Sequence, residues 1–204
     1  WYFRGDFHCL RKGGDICYAV DGKNKYHCVI GGGPCFIVHP SDMAVALLAL
    51  DAKLTVYSGG KNKTVAIGDF FVLPEKNVRR ENILLPGEIV VDIRIQELNN
   101  NTKSGYVKFA ERGVWDFAVV SVAAVIQKNG NALKKGRVVL GGVAPAPWFE
   151  KKISKKLSGL IPGEKNLDEI MKTALVDAEP LAMNEYKLPL AKNLMKRLIG
   201  ELTA

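Results

Sequence analysis

Residues 29–52, VIGGGPCFIVHPSDMAVALLALDA, constrain this chain most, because they put three consecutive glycines, a cysteine and an apolar helical run into one short segment. Gly31, Gly32 and Gly33 have no side chain, so their backbone can adopt positive φ and bring N–H groups against a bulky anionic ligand such as a pyrophosphate. Ser41 and Asp42 then open a helix predicted over 41–50, with side-chain oxygens available to cap it or to accept a ligand hydroxyl. The segment reads as a cofactor-binding edge. It is neither common phosphate fingerprint: GGGPC lacks a third glycine at the Rossmann offset, and no Lys-Ser/Thr follows as in a P-loop.

The rest of the chain can build a core around such an edge. Its 204 residues are 48% hydrophobic and 25% charged, enough for one large domain or one and a half. The longest apolar runs, such as 43–50, fall far short of the roughly 20 residues of a membrane span, and no charged-then-apolar leader precedes them. The formal charge is +8, yet the lysine pairs at 134–135, 151–152 and 155–156 are followed by Glu164, Asp168 and Glu169. No aromatic residues interleave with them to stack bases, so a solvated face is expected rather than a nucleic-acid footprint.

Hydrophobic period and turn residues predict strands at 54–58, 64–67, 88–96, 105–111, 117–126 and 138–142, with a hairpin turn at 128–131. Helical spacing follows at 150–157, 167–179 and 188–202, with Pro162 and Asn166 as breaking and starting signals. The expected architecture is α+β, a mainly antiparallel sheet with a C-terminal helical layer, divided near residue 130. All four cysteines, Cys9, Cys17, Cys28 and Cys35, lie in the first 35 residues. Size and the lack of a secretory signal argue against a disulfide framework. Inert buried thiols and metal ligands fit the clustering equally, since no CxxC pair is present.

The segment and its surroundings resemble the FAD-binding subunit of the molybdenum hydroxylases, the family of xanthine dehydrogenase, carbon monoxide dehydrogenase and 4-hydroxybenzoyl-CoA reductase. The likeness runs through DAKLTVYSGGKNKTVAIGDFFVLP (51–74), PGEIVVDIRI (86–95), GYVKFAERGVWDFAVVSVAAVI (105–126) and VVLGGVAPAPW (138–148). It implies the second part of a PCMH-type FAD-binding domain followed by a C-terminal α+β domain of the carbon monoxide dehydrogenase flavoprotein type. The expected division is 1–40 for an iron–sulfur loop and second FAD loop, 41–130 for the remaining FAD-binding domain, and 131–204 for the C-terminal domain. Such subunits begin with a smaller FAD subdomain carrying a first glycine loop, so the resemblance implies that this part precedes Trp1.

By the same resemblance, Val29, Ile30, Gly31, Gly32 and Gly33 meet the FAD pyrophosphate through backbone N–H groups, and Asp42 accepts from the ribityl chain. Val90 turns its backbone to the isoalloxazine ring. Lys108 lies near the pyrimidine side, where a cation favours the anionic reduced flavin. Trp115 and Asp116 match a loop at the flavin edge, with a gating role or a buried aromatic beside a turn carboxylate as alternatives; His39 is expected to be structural. A sub-group that includes the reductase and some aldehyde oxidoreductases carries an additional four-iron four-sulfur cluster, and CLRKGGDIC and CFIVHPSD match its pattern at Cys9, Cys17 and Cys35. Each iron takes one protein thiolate. The fourth ligand is then implied upstream of Trp1, leaving Cys28 as a core residue, or Cys28 itself supplies it.

The resemblance thus implies a cytoplasmic electron-transfer subunit passing electrons between iron–sulfur centres and FAD, with no membrane or nucleic-acid partner. Its implied partners are a molybdopterin-binding large subunit, which acts on an aldehyde, aromatic or acyl-CoA substrate, and a small subunit with two 2Fe–2S clusters. The alternative is a structural or assembly module of such a complex that holds no cofactor. The chain shows no Ser-His-Asp, paired-carboxylate or HExxH signature, so any chemistry would belong to cofactors.

Overall fold

The computed structural model describes residues 5–204. Two antiparallel sheets organise them. β1 (Lys53–Ser58), β2 (Lys61–Ala66) and β3 (Ile89–Arg94) form a three-stranded sheet in the order β2-β1-β3. β4 (Thr102–Phe109), β5 (Val120–Asn129), β6 (Ala132–Gly141) and β7 (Trp148–Phe149) form a four-stranded meander in sequence order. Both are α+β elements of the kind the sequence predicts, and β6 starts earlier than expected because its register with β5 runs from Asn129↔Ala132 to Ser121↔Gly141.

Helix α1 (Asp42–Ala49) packs on one face of the meander, and Val45, Leu47, Leu48 and Ala49 share a core with Ala123, Val139, Leu54 and Ile67. Its two ends are fixed by side chains. Ser41 Oγ accepts the Ala44 N–H at 3.1 Å, and Arg137 of β6 donates to the Leu48 and Ala49 carbonyls at 2.9 and 3.1 Å. A cation at the helix C-terminus also complements the helix dipole.

The opposite face of the meander carries α2 (Lys151–Lys156), α3 (Glu164–Met171) and α4 (Lys187–Thr203). Period-two alternation explains the split: Val120, Val122, Ala124 and Ile126 face this larger core with Leu194, Met195, Leu198 and Ile199, while Ala123 faces α1. α3 departs from its expected span. It starts at Glu164, and Asn166 sits inside it, donating back to the Ile161 carbonyl. It ends at Met171, beyond which the chain turns through Leu175, at φ 53°, so that the Glu179 N–H reaches the Val29 carbonyl at 2.8 Å. A tertiary hydrogen bond outweighs helical period there.

The N-terminal loops are tied to this body by polar groups that the sequence pattern does not announce. Lys187 is 1% exposed, and its Nζ donates to the carbonyls of Tyr26, His27 and Gly142 at 2.7, 2.9 and 2.7 Å. Asn184 Nδ2 donates to the His27 and Cys28 carbonyls, and Asn24 Oδ1 accepts the Met183 N–H. Lys187→Met keeps the side-chain volume but leaves the Tyr26 and Gly142 carbonyls without this donor, each worth about 1–3 kcal/mol, while Asn184 still reaches the His27 carbonyl. Urea unfolding should therefore show a loss of roughly 2 kcal/mol or more, whereas a loss below about 1 kcal/mol would mean that other donors reach those carbonyls.

Candidate functional site

The glycine segment is anchored at one end and open at the other. Val29 and Ile30 are buried, and both N–H groups donate to the Val143 carbonyl, at 2.8 and 3.2 Å. Those two N–H groups are therefore spent on the fold, and Val29 and Ile30 hold the loop rather than offer donors. Among the described residues, nothing takes the N–H groups of Gly31, Gly32 and Gly33. Gly31 and Gly33 have φ of 67° and 76°, the left-handed region that glycine alone enters cheaply.

Gly32 is required for a different reason from the one its sequence suggests. It does not share the positive φ of its neighbours; a Cβ there would stand 2.7 Å from both Cys28 Sγ and the Phe36 ring. A Cβ on Gly33, in contrast, meets nothing within 4 Å. The loop is thus packed behind Gly32 and clear in front of Gly33, a backbone cradle with unpaired donors, which is what an anionic pyrophosphate requires.

Asp42 and Lys108 are brought together from α1 and β4. With Ser41 taking the capping position, the Asp42 carboxylate is released to accept from Lys108 Nζ at 2.7 Å, and the same ammonium donates to the Asp116 carbonyl at 2.7 Å. The two side chains are 40% and 29% exposed. An ion pair this open is worth about 0–1 kcal/mol, so either partner can turn to a ligand at small cost. Tyr106, two residues along the same face of β4, lies beside Asp42 and Ser121, and burial pushes its phenol above the usual range. Val90 stands apart: it pairs with Val56 on the three-stranded sheet and packs half-buried against the α1 core.

The loop from β4 to β5 lines a cleft of about 630 Å³ that includes Lys108 and Asp116. Its aromatic residue is not buried. Trp115 is 95% exposed at φ 53°, held there because Arg112 donates to its carbonyl at 2.8 Å while Asp116 accepts the Arg112 and Phe117 N–H groups. These hydrogen bonds hold the Asp116 carboxyl below its usual range. The expectation of a buried aromatic fails because the turn spends its polar groups locally and leaves the indole outside. His39 is partly buried edge-on to Phe71, with ring centroids 4.9 Å apart, and burial lowers its pKa.

Two cysteines meet, and a third is carried at the far end of the same short loop. The Leu10 N–H donates to the Ile16 carbonyl at 2.8 Å, closing the loop that carries Cys9 and Cys17 at its ends. The Cys17 and Cys35 thiols hydrogen-bond one another, which lowers Cys17 to about 6 and raises Cys35. Cys28 lies deeper, and burial pushes its thiol up to about 12. All four are free thiols. Among the described residues no three Cys, His, Asp or Glu side chains converge as ligands of a single metal ion; a cluster differs in binding each thiolate at a separate iron.

A glycine cradle, an acid and a lysine beside an antiparallel sheet, with a second sheet and helical layer behind, define a two-part flavoprotein fold. Residues 14–96 match the FAD binding domain in molybdopterin dehydrogenase, and residues 105–202 match the CO dehydrogenase flavoprotein C-terminal domain. The chain thus carries a FAD-binding domain and a flavoprotein C-terminal domain of the kinds found in molybdopterin dehydrogenases and CO dehydrogenase. It is 37% identical, over 94% of its length, to the aldehyde oxidoreductase FAD-binding subunit PaoB of Escherichia coli, and covers 57% of that protein. It is 25% identical to the carbon monoxide dehydrogenase medium chain of Hydrogenophaga pseudoflava, over 83% of this chain and 58% of that one. The chain thus spans a little over half the length of these relatives. The fold matches a Cu,Mo-CO dehydrogenase structure with a TM-score of 0.70 at 22% identity, over 79% of this chain and 56% of that one. No helix among the described residues is long and apolar enough to cross a membrane.

The different roles of neighbouring glycines are separable by mutation. Gly33→Ala should cost only about 1–3 kcal/mol of stability for a non-glycine at positive φ, yet lower flavin content by filling the cradle. Gly32→Ala should chiefly destabilise the fold through Cys28 and Phe36. Thermal unfolding beside flavin fluorescence distinguishes them, and normal flavin occupancy in a folded Gly33→Ala protein would reduce the loop to a turn.

Proposed function

We propose that this chain is the flavin-carrying electron-transfer part of a molybdopterin-dependent hydroxylase or dehydrogenase for an aldehyde, aromatic or acyl-CoA substrate. The observation that carries the proposal is the row of unpartnered N–H groups at Gly31, Gly32 and Gly33, beside a space that a Cβ on Gly33 would enter. Val29 and Ile30 anchor this cradle, Asp42 is placed to accept from the ribityl chain, and Lys108 to set positive charge near the pyrimidine ring. FAD held there would supply two-electron chemistry able to exchange with one-electron centres. Val90 is assigned to the wall of the site through its backbone. A cofactor-free assembly role is the weaker reading, because it gives the cradle and its clear approach no purpose.

We assign Cys9, Cys17 and Cys35 as ligands of a four-iron four-sulfur cluster, with the fourth thiolate from a cysteine preceding Trp1 or from Cys28. The support is the paired Cys17 and Cys35 thiols, with Cys9 at the other end of the closed loop and a buried cation two residues beyond it. The connection at 95–101 is proposed to separate the two functional parts, in place of residue 130, which is in the turn of the β5–β6 hairpin within one sheet. A molybdopterin-binding large subunit, a small subunit with 2Fe–2S clusters and a preceding FAD subdomain complete the proposed assembly, with the cytoplasm as its compartment. Exposed Ile89, Val91 and Ile93 on the edge strand β3 are side chains that a subunit of a larger assembly would cover.

Flavin and iron–sulfur absorbance in the purified complex tests the proposal directly. Cys9→Ser or Cys17→Ser should remove the additional cluster and leave flavin in place; unchanged iron in both variants would end the cluster assignment. The same count in Cys28→Ser decides the fourth ligand.

Lys108→Met should lower the flavin midpoint potential by about 20 mV. A unit charge pair at roughly 4 Å is worth about 4 kcal/mol at an effective dielectric constant near 20, and Asp42 and solvent offset most of it. Substrate oxidation measured with a dye that accepts electrons upstream of the flavin should not change, and an unaltered flavin potential would return Lys108 to a solvated strand face.

A further inference from the structure

Arg11 follows Cys9 by two residues in a 3₁₀ turn, Leu10–Lys12, for which Cys9 is the N-cap. It is 6% exposed. Its Nη1 donates to the Val78 carbonyl at 2.7 Å and to the Arg80 carbonyl at 3.4 Å, but Nε and Nη2 are buried with no partner among the described residues. A guanidinium keeps its charge in any protein environment and has five N–H donors to satisfy. Leaving such a cation buried without an anion is strongly unfavourable, and no carboxylate among the described residues pairs with it. Its field acts on Cys35. A second guanidinium, that of Arg79, lies 3.4 Å from where a Cβ of Gly13 would stand, so the loop between Cys9 and Cys17 is lined by positive charge.

We propose that Arg11 is the charge partner of an iron–sulfur cluster held by Cys9, Cys17 and Cys35, its unpaired N–H groups donating to cluster sulfur and favouring the reduced form. The proposal rests on the cluster assignment above and adds to it what tunes the cluster. A thiolate-ligated cluster is anionic and gains one further negative charge on one-electron reduction. A buried cation beside it therefore stabilises the reduced form more than the oxidised one, since hydrogen bonds to sulfur and local charge set cluster potentials. Arg11 acts here as a positioning and charge-supplying residue, with Cys9 presented from the same turn.

The test is a dithionite titration of the purified complex followed by electron paramagnetic resonance, with iron counted in every variant. Arg11→Met should retain iron and lower the reduced-to-oxidised ratio of this one cluster at least tenfold at the wild-type midpoint, equal to about 59 mV for a one-electron couple. Arg11→Lys, which keeps the charge, should recover most of that ratio, and the shift should persist at high salt because the site is buried. Should Arg11→Met fail to assemble, Arg11→Gln, neutral but still a donor, gives the same comparison. Full iron with an unchanged ratio overturns the role of Arg11 and leaves the cluster assignment standing. A wild-type complex whose iron and spectrum match those of Cys9→Ser and Cys17→Ser overturns both.

Discussion

The buried ammonium of Lys187 is the contact on which the arrangement of the functional loops depends. Desolvation pulls it down to about 7, and it is kept in the interior by three carbonyls that accept its N–H groups. Two of them belong to Tyr26 and His27, just ahead of the glycine segment, and the third to Gly142, at the end of β6. One side chain on α4 thereby joins the irregular N-terminal loops to the C-terminal sheet. Asn184 and Asn24 extend the same clamp on either side. Without it, Val29 and Ile30 would have no fixed position from which to meet Val143, and the glycine cradle would have no orientation.

Helix α1 shows how a structural role assigned to one residue releases its neighbour. Ser41 caps the helix, so Asp42 is left with a carboxylate that the helix does not use. Arg137 closes the other end from β6 and stacks over the Phe149 ring at 4.7 Å. The helix is therefore clamped to the meander at both ends, and its first turn is carried to the strand that bears Lys108. The resulting pair is exposed enough to exchange partners, which suits a ligand site better than a buried pair, whose breaking is costly.

The cysteine corner follows a different logic. Its charge is mostly positive, from Arg11 with Arg79 close by, and its thiols are close enough to interact. Cys28 lies deeper, against the position that a Cβ on Gly32 would occupy, and burial raises its thiol.

By itself, the sequence determined the elements and their order: α1, every principal strand, the hairpin near residue 130 and α4 all follow from period, caps and turn residues, because these act between residues close along the chain. It also marked the glycine run and the blocks around Asp42 and Lys108 as candidates, since these are local patterns. Only the tertiary structure decided which of them meet. Ser41 rather than Asp42 became the cap, Gly32 proved necessary for the space Cys28 and Phe36 occupy, and Trp115 came to the surface. The end of α3 was set by a bond from Glu179 to Val29. Lys187 and Arg11 read as ordinary surface cations in the sequence, because burial is a property of packing between segments distant along the chain, and no local pattern records the carbonyls or thiols that draw a charge inside.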